Sequence, residues 1–235
     1  MAAELLDPVK PVFPDPDQAM AYPDGLLAVG GNLQPDTLRA AYRQGIFPWF
    51  DRNSPICWWS PDPREVMLPG QQHWSRSMRR FRRNSSLRIA SNRAFEAVMR
   101  YCSRADQESA WITEEMIEAY LALHRIGLAH SLEAWDGEVL VGGLYGVQVG
   151  GVFCGESMFQ KHTNASKLVL LTLADSLFSA GCKMIDCQFA TEHLRSLGSR
   201  SIARTDYLRL LAQARNNPLN WNEVFADTMQ SHSNV

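Results

Sequence analysis

A carboxylate and a carboxamide stand two residues apart in the run Met184-Ile185-Asp186-Cys187-Gln188-Phe189, which is otherwise apolar. An apolar run of this length, opened by Gly181 and Lys183, reads as a buried strand. Side chains alternate along a strand, so Asp186 and Gln188 are expected on one face and Ile185, Cys187 and Phe189 on the other. An ionised group taken out of water costs several kcal/mol unless it is paired, and buried strands normally avoid one. Two readings follow. Asp186 could act on a reacting group, with Gln188, which cannot be a base, supplying hydrogen bonds. It could equally be a structural carboxylate salt-bridged to a nearby arginine.

Two other stretches carry chemistry. Ile46-Phe47-Pro48-Trp49-Phe50 and Trp58-Trp59-Ser60-Pro61-Asp62-Pro63-Arg64 crowd aromatic rings among prolines and polar residues. Regular core strands seldom show this mixture. It reads as a proline-stiffened loop that either packs a small satellite core or offers a stacking surface to a flat ligand such as a nucleobase. From Val66 to Phe95 there is no Asp or Glu, while Arg76, Arg79, Arg80, Arg82, Arg83, Arg88 and Arg93 fall inside. A helix over 72–83 puts Arg76, Arg80 and Arg83 on one face. Guanidinium forks with no local acid to neutralise them suit phosphate better than a plain solvated face does. The formal net charge of −2 hides this segregation, because Glu4, Asp7, Asp15, Asp17 and Asp24 balance it near the N-terminus.

Composition removes several classes. With 46% hydrophobic and 20% charged residues the 235-residue chain can bury a substantial core. No apolar run approaches the ~20 residues of a membrane span. The acidic N-terminal stretch lacks the layout of a signal peptide, so a cytoplasmic location is expected. Five scattered cysteines (Cys57, Cys102, Cys154, Cys182, Cys187) form no close pair, and six histidines form no metal-ligand pattern, so neither a disulfide framework nor a metal is expected. Gly30-Gly31-Asn32 is not followed by the Lys and Ser or Thr of a phosphate loop.

The elements that must hold these residues can be read in order. Gly25–Asn32 is a short strand ending in a glycine turn, and Thr37–Gln44 a helix behind Pro35, stopped by Gly45. Arg93–Cys102 is a helix. Thr113 caps another that carries Glu114 and Glu115 in its first turn and ends at Gly127. Ala129–Trp135, Glu138–Val149 and Gly150–Phe159 read as consecutive antiparallel strands, with Asp136-Gly137 the first turn. Thr163 or Asn164 caps a helix to Ala180, and the Asp186 strand follows. A short helix over Glu192–Leu197, a strand near Ser201–Ala203 and a helix from Thr205 to Ala214 complete the chain, whose last residues read as frayed. The fold class is α+β (mixed α/β), close in element order to acyltransferases of the GNAT superfamily. The glycine-rich loop that those enzymes use for acetyl-CoA is absent from Phe159-Gln160-Lys161-His162-Thr163-Asn164-Ala165-Ser166-Lys167.

Taken together, the sequence resembles the leucyl/phenylalanyl-tRNA–protein transferases over nearly its whole length. The resemblance rests on Gly25-Leu26-Leu27-Ala28-Val29-Gly30-Gly31, Gly45 to Phe50, Trp58 to Arg64, Phe153-x-Gly155-Glu156-Ser157-Met158-Phe159 and Ile185-Asp186-x-Gln188. It implies a small N-terminal α/β domain over 1–62 and a GNAT-like catalytic domain over 63–235. It also implies transfer of Leu or Phe, and less readily Met, from aminoacyl-tRNA to the N-terminal Arg or Lys of a protein, marking that protein for degradation. No cofactor and no metal are expected, and a monomer is. By the same resemblance Asp186 polarises Gln188 and Glu156 helps hold the aminoacyl-adenosine. Trp49, Trp111 and Tyr120 hold the terminal adenosine, and Arg76, Arg80 and Arg83 the tRNA backbone. Leu144, Phe153, Met158, Leu170, Leu173 and Ile185 form the amino-acid side-chain pocket, where one methylene is worth only ~1–3 kcal/mol. Two rivals remain: an acyl-CoA-dependent N-acetyltransferase, opposed by the missing glycine loop, and a non-catalytic RNA-binding module, which leaves Asp186 and Gln188 without a purpose.

Overall fold

Two hairpins build the centre of the molecule, and glycine makes both turns. The computed structural model describes residues 3–103 and 111–226. Strands β7 (Ala129–Asp136) and β8 (Val139–Val149) pair antiparallel down to Asp136 opposite Val139, so the turn residues are Gly137 and Glu138, one position later than the sequence suggests. Gly137 has φ +57°, a conformation other residues resist. Gly150 and Gly151 link β8 to β9 (Val152–Gln160) in the same manner.

The next strand cannot join by a hairpin. β10 (Met184–Gln188) runs parallel to β9, and parallel neighbours require a crossover, here the helix α5 (Ala165–Ser179). Asn164 sits at the cap position of α5 with φ 67° but makes no side-chain cap bond, contrary to the capping role expected of it. Around this core the larger sheet has the order β11-β5-β10-β9-β8-β7-β6, with β5 at Arg64–Met67, β6 at Arg88–Ser91 and β11 at Arg200–Ile202. Helices α3 (Phe95–Ser103) and α4 (Glu114–Arg125) pack on one side of it, and α5 on the other. The Thr113 hydroxyl accepts from the Met116 N–H at 3.3 Å, as a helix cap should.

The smaller sheet has the order β1-β2-β4-β3, from β1 (Glu4–Leu6), β2 (Leu26–Gly30), β3 (Phe47–Pro48) and β4 (Cys57–Trp59), with α1 (Pro35–Arg43) between β2 and β3. The aromatic stretch read as a loop is thus partly strand, at Phe47–Pro48 and Cys57–Trp59. Trp58 and Phe47 are core residues, and the Trp58 Nε1–H donates to the Gly30 carbonyl at 2.9 Å. Sequence periodicity also misses β6 and the short helix α8 (Trp221–Val224). The remaining helices are α2 (Arg76–Asn84), α6 (Glu192–Ser196) and α7 (Arg204–Ala214). The frayed tail expected at the end of the chain lies outside the described residues. Among the described residues no helix is long and apolar enough to cross a membrane.

Two irregularities decide where a site can form. The β8–β9 ladder pairs Tyr145 with Ser157 and Gly146 with Gly155, leaving Glu156 as the extra residue of a bulge. The β10–β5 ladder pairs Asp186 with Val66 and Gln188 with Glu65, leaving Cys187 as another. Pairing between β9 and β10 stops at Cys154 and Asp186 although both strands continue, so the two part where the bulges re-aim their side chains. Gly146 is required opposite the first bulge. A Cβ there would meet the Cys154 carbonyl oxygen at 2.2 Å and the Phe153 ring at 2.6 Å. Gly146→Ala is expected to cost about 1–3 kcal/mol or more, seen as a lower urea midpoint at unchanged slope.

Candidate active site

Asp186 is buried against Arg64, with side-chain exposures of 0% and 1%. Arg64 grips it with both arms of its fork, Nε to Oδ1 at 2.8 Å and Nη2 to Oδ2 at 2.6 Å. The Tyr207 hydroxyl donates to Oδ2 at 2.8 Å, and the Gln188 backbone N–H to Oδ1 at 2.9 Å. Arg64 itself lies between the Phe47 and Tyr207 rings, 4.6 and 4.5 Å from their centroids, and donates to the Gly45 carbonyl at 3.2 Å. Burial opposes the charge on Arg64, but the Asp186 carboxylate more than offsets that and holds its pKa above the ordinary value. Arg64 is thus the arginine partner that the salt-bridged reading of Asp186 required. Four donors occupy the four lone-pair positions of the carboxylate.

What it orients is Gln188. Simple alternation breaks down here: Cys187 is bulged out, Gln188 has φ +63°, and Asp186 reaches its neighbour through the main chain rather than side by side. The Gln188 carboxamide Nε2 then donates to Glu156 Oε1 at 2.8 Å. The other carboxylate oxygen of Glu156 accepts from the Tyr120 hydroxyl at 3.1 Å, and Tyr120 is bonded in turn to Tyr42 of α1 through a short hydroxyl–hydroxyl contact. Burial pushes the Glu156 carboxyl up to about 7, aided by the charge of Asp186 and restrained by hydrogen bonds from Tyr42, Tyr120 and Gln188. Glu156 is thus poised to change protonation near neutral pH. Burial likewise raises the phenols of Tyr42 and Tyr120 well above 10, so both stay protonated donors.

The other expected site residues are placed as follows. Trp49 is 43% exposed and lies against Trp59 and Phe189, with ring centroids 5.6 and 5.5 Å away. Tyr120 is fully buried, edge-on to Tyr145 at 5.7 Å, with its hydroxyl rather than its ring face directed at the site. Trp111 is half-buried against the same core. Leu144, Phe153, Leu170, Leu173 and Ile185 are buried in one apolar cluster, with Met158 partly buried at its border. That cluster packs on α5, while Tyr120, Tyr145 and Tyr207 belong to the core on the opposite face of the sheet. Arg76, Arg80 and Arg83 are exposed along α2, and among the described residues none has a carboxylate within salt-bridge distance. Arg82 is held instead by Asp175 at 3.4 Å and lies over the Trp74 ring. A cleft of about 490 Å³ adjoins Arg80, Phe81, His162 and Asn164. Among the described residues no group of three His, Cys, Asp or Glu side chains could hold a metal ion.

Sequence reasoning missed Arg64, Tyr207, Tyr42 and Phe189. Only Phe189, next to Gln188, carried a positional hint, and alternation assigned it to the wrong surroundings. Asp186→Ala leaves Arg64 buried without its partner, which costs about 3–5 kcal/mol by the usual behaviour of such pairs. The double variant Arg64→Met/Asp186→Ala is expected to lose less than the sum of the single losses in a denaturation cycle. Additive losses would dissolve the pair as a unit.

The chain can now be set beside known proteins. The family described as Leucyl/phenylalanyl-tRNA protein transferase matches residues 66–212, and its N-terminal domain residues 31–62. A leucyl/phenylalanyl-tRNA–protein transferase of Anaeromyxobacter dehalogenans (strain 2CP-C) is 52% identical over 214 residues, covering 90% of this chain and 91% of the relative. Another, of Shewanella baltica (strain OS195), is 51% identical over 209 residues, 88% of each. Among solved structures, a GCN5-related N-acetyltransferase from Kribbella flavida aligns at a TM-score of 0.37 and 12% identity, over 69% of this chain and 58% of that one, a likeness too distant to bear on function. The chain is an enzyme of the transferase class. It belongs to the leucyl/phenylalanyl-tRNA–protein transferase family.

Proposed function

We propose that the chain transfers Leu or Phe, and Met less readily, from aminoacyl-tRNA to the N-terminal Arg or Lys of an acceptor protein in the cytoplasm, creating a degradation signal. The observation that carries the chemistry is the Tyr120–Glu156–Gln188 network at the parting of β9 and β10. The reaction is aminolysis of an ester. The acceptor nitrogen attacks the carbonyl carbon, the bond to the ribose oxygen breaks, the amine gives up a proton and the ribose oxygen receives one. An α-amine has a pKa near 8, so positioning supplies much of the activation. Gln188, with its amide N–H₂ committed to Glu156, turns its carbonyl oxygen to the amine. Glu156, near neutral, accepts the proton and returns it to the leaving ribose oxygen. Asp186 holds Gln188 in its left-handed conformation.

In this reading the adenosine lies at the surface of Trp49, extended by Trp59 and Phe189, with Trp111 and Tyr120 bordering it. The amino-acid side chain enters among Leu144, Phe153, Met158, Leu170, Leu173 and Ile185, reached through the gap between β9 and β10. Arg76, Arg80 and Arg83 take the tRNA backbone. The junction near residue 62, where β4 gives way to β5, divides a small N-terminal domain from a catalytic domain of GNAT type.

Two measurements test the reading. Labelled Leu-tRNA should pass its label to a peptide beginning with Arg and not to one beginning with Ala; transfer to neither, or to both alike, defeats the assigned reaction. Replacing Arg76, Arg80 and Arg83 together with Gln should weaken tRNA binding and flatten its dependence on salt. Unaltered binding across the salt range would remove these residues from the RNA surface.

A further inference from the structure

Tyr42 belongs to α1, beside the small sheet, yet it is 2% exposed and its hydroxyl meets that of Tyr120. A structural reading is available: the contact fastens α1 to α4. The direction of the hydrogen bonds argues for more. A phenol has one proton to donate. With Glu156 ionised, Tyr120 directs its own to Glu156 Oε2, so at Tyr42 it accepts and Tyr42 donates. Gln188 also donates to Glu156, at the other oxygen. Every bond in the chain Tyr42–Tyr120–Glu156–Gln188 then points toward the Glu156 carboxyl, which favours its ionised form.

Reversing the chain requires a protonated Glu156 to donate to Tyr120 and Tyr120 to Tyr42. The Tyr42 proton would then need an acceptor elsewhere, and among the described residues no partner other than Tyr120 and Glu156 acts on its hydroxyl. Tyr42 is the outer end of the chain. Donors in series also polarise one another, so the bond from Tyr120 to Glu156 is strengthened by the one behind it.

We propose that Tyr42 is a positioning residue for the transfer reaction, acting with Tyr120 to keep Glu156 an oriented, ionised acceptor of the amine proton. The inference rests on the reading of Glu156 given under Proposed function. The groups facing Glu156 are Tyr42 from α1, Tyr120 from α4, Tyr145 from β8, Cys154 on its own strand and Asp186 from β10. Burial and Asp186 raise its pKa, while the hydroxyls of Tyr42 and Tyr120 lower it, so removing the Tyr42 hydroxyl must raise it further. A base with a higher pKa is lost to protonation at a higher pH.

Tyr42→Phe keeps the ring and its packing. With saturating acceptor, its kcat near pH 7 should fall about 3- to 10-fold with the KM for aminoacyl-tRNA unchanged. The acid limb of the kcat profile should move up by about half a pH unit to one. Tyr120→Phe should move the acid limb in the same direction, and Tyr42→Phe/Tyr120→Phe should fall short of the sum of the two single effects, because both hydroxyls serve one carboxylate. An acid limb set by the acceptor would move when an acceptor amine of different pKa is used, and one set by Glu156 would not. An active wild type with a Tyr42→Phe variant of the same kcat and acid limb overturns the role of Tyr42, as does an additive double variant. A wild type that transfers nothing from Leu-tRNA defeats the underlying reading instead.

Discussion

The buried pair of Arg64 and Asp186 is the contact on which the rest of the structure depends. It joins the first strand of the larger sheet after the junction to the strand that carries Gln188, and Arg64 also bonds the Gly45 carbonyl at the end of α1. Two charges out of water are tolerated only when each is fully bonded. Here the guanidinium has a bidentate carboxylate, a carbonyl and two aromatic faces, and the carboxylate has a fork, a phenol and a backbone N–H. The set ties together β5, β10, α7 and the α1–β3 turn. The pair therefore specifies geometry more than it adds stability.

The consequence is felt at Gln188. Its left-handed backbone would be strained for a residue with a Cβ, and the Asp186 carboxylate holds it there by accepting its N–H. That conformation sends the carboxamide across the gap to Glu156 on β9. Gly146 on the far side makes the β9 bulge sterically possible. A salt bridge, a bulge and a glycine on four strands thus converge on one carboxyl group. The apolar cluster on α5 lies directly behind, because Ile185 precedes Asp186 and faces the other way.

How much of this is legible in the sequence depends on whether the signal is periodic. The β7–β8 and β8–β9 hairpins, α4 with its Thr113 cap and the apolar α5 follow from alternation, caps and glycine placement, and each stands within a residue or two of its expected bounds. Strands β3 and β4 are two and three residues long and contain a proline and paired tryptophans, too short for any period to emerge. The edge strand β6 is four residues long, Arg-Ile-Ala-Ser, too short for a period to emerge. At the site, the spacing of Asp186 and Gln188 marks the strand, but the bulge between them cancels the alternation that the spacing implies. The partners of Asp186 and Glu156 come from Arg64, Tyr207, Tyr42 and Tyr120, far apart in the chain, and nothing local announces them.

On the proposed reaction, the protonation balance at Glu156 explains why an enclosed site suits the chemistry. An ordinary exposed glutamate, near 4.3, is a weak base toward an ammonium group near 8 and would seldom carry its proton. A glutamate buried without donors would move far upward and be protonated, hence useless as an acceptor, at neutral pH. Burial pushes one way and three donors push the other, leaving the carboxyl at about 7. That value lies within reach of both the amine and the working pH, where proton transfer in either direction is facile. The donors come from α1, α4 and β10, so the balance requires the smaller sheet's helix to be seated on the larger sheet's helices. In this sense the two halves of the chain share one titrating group, and the reactivity of Glu156 is a property of their assembly rather than of either sheet alone.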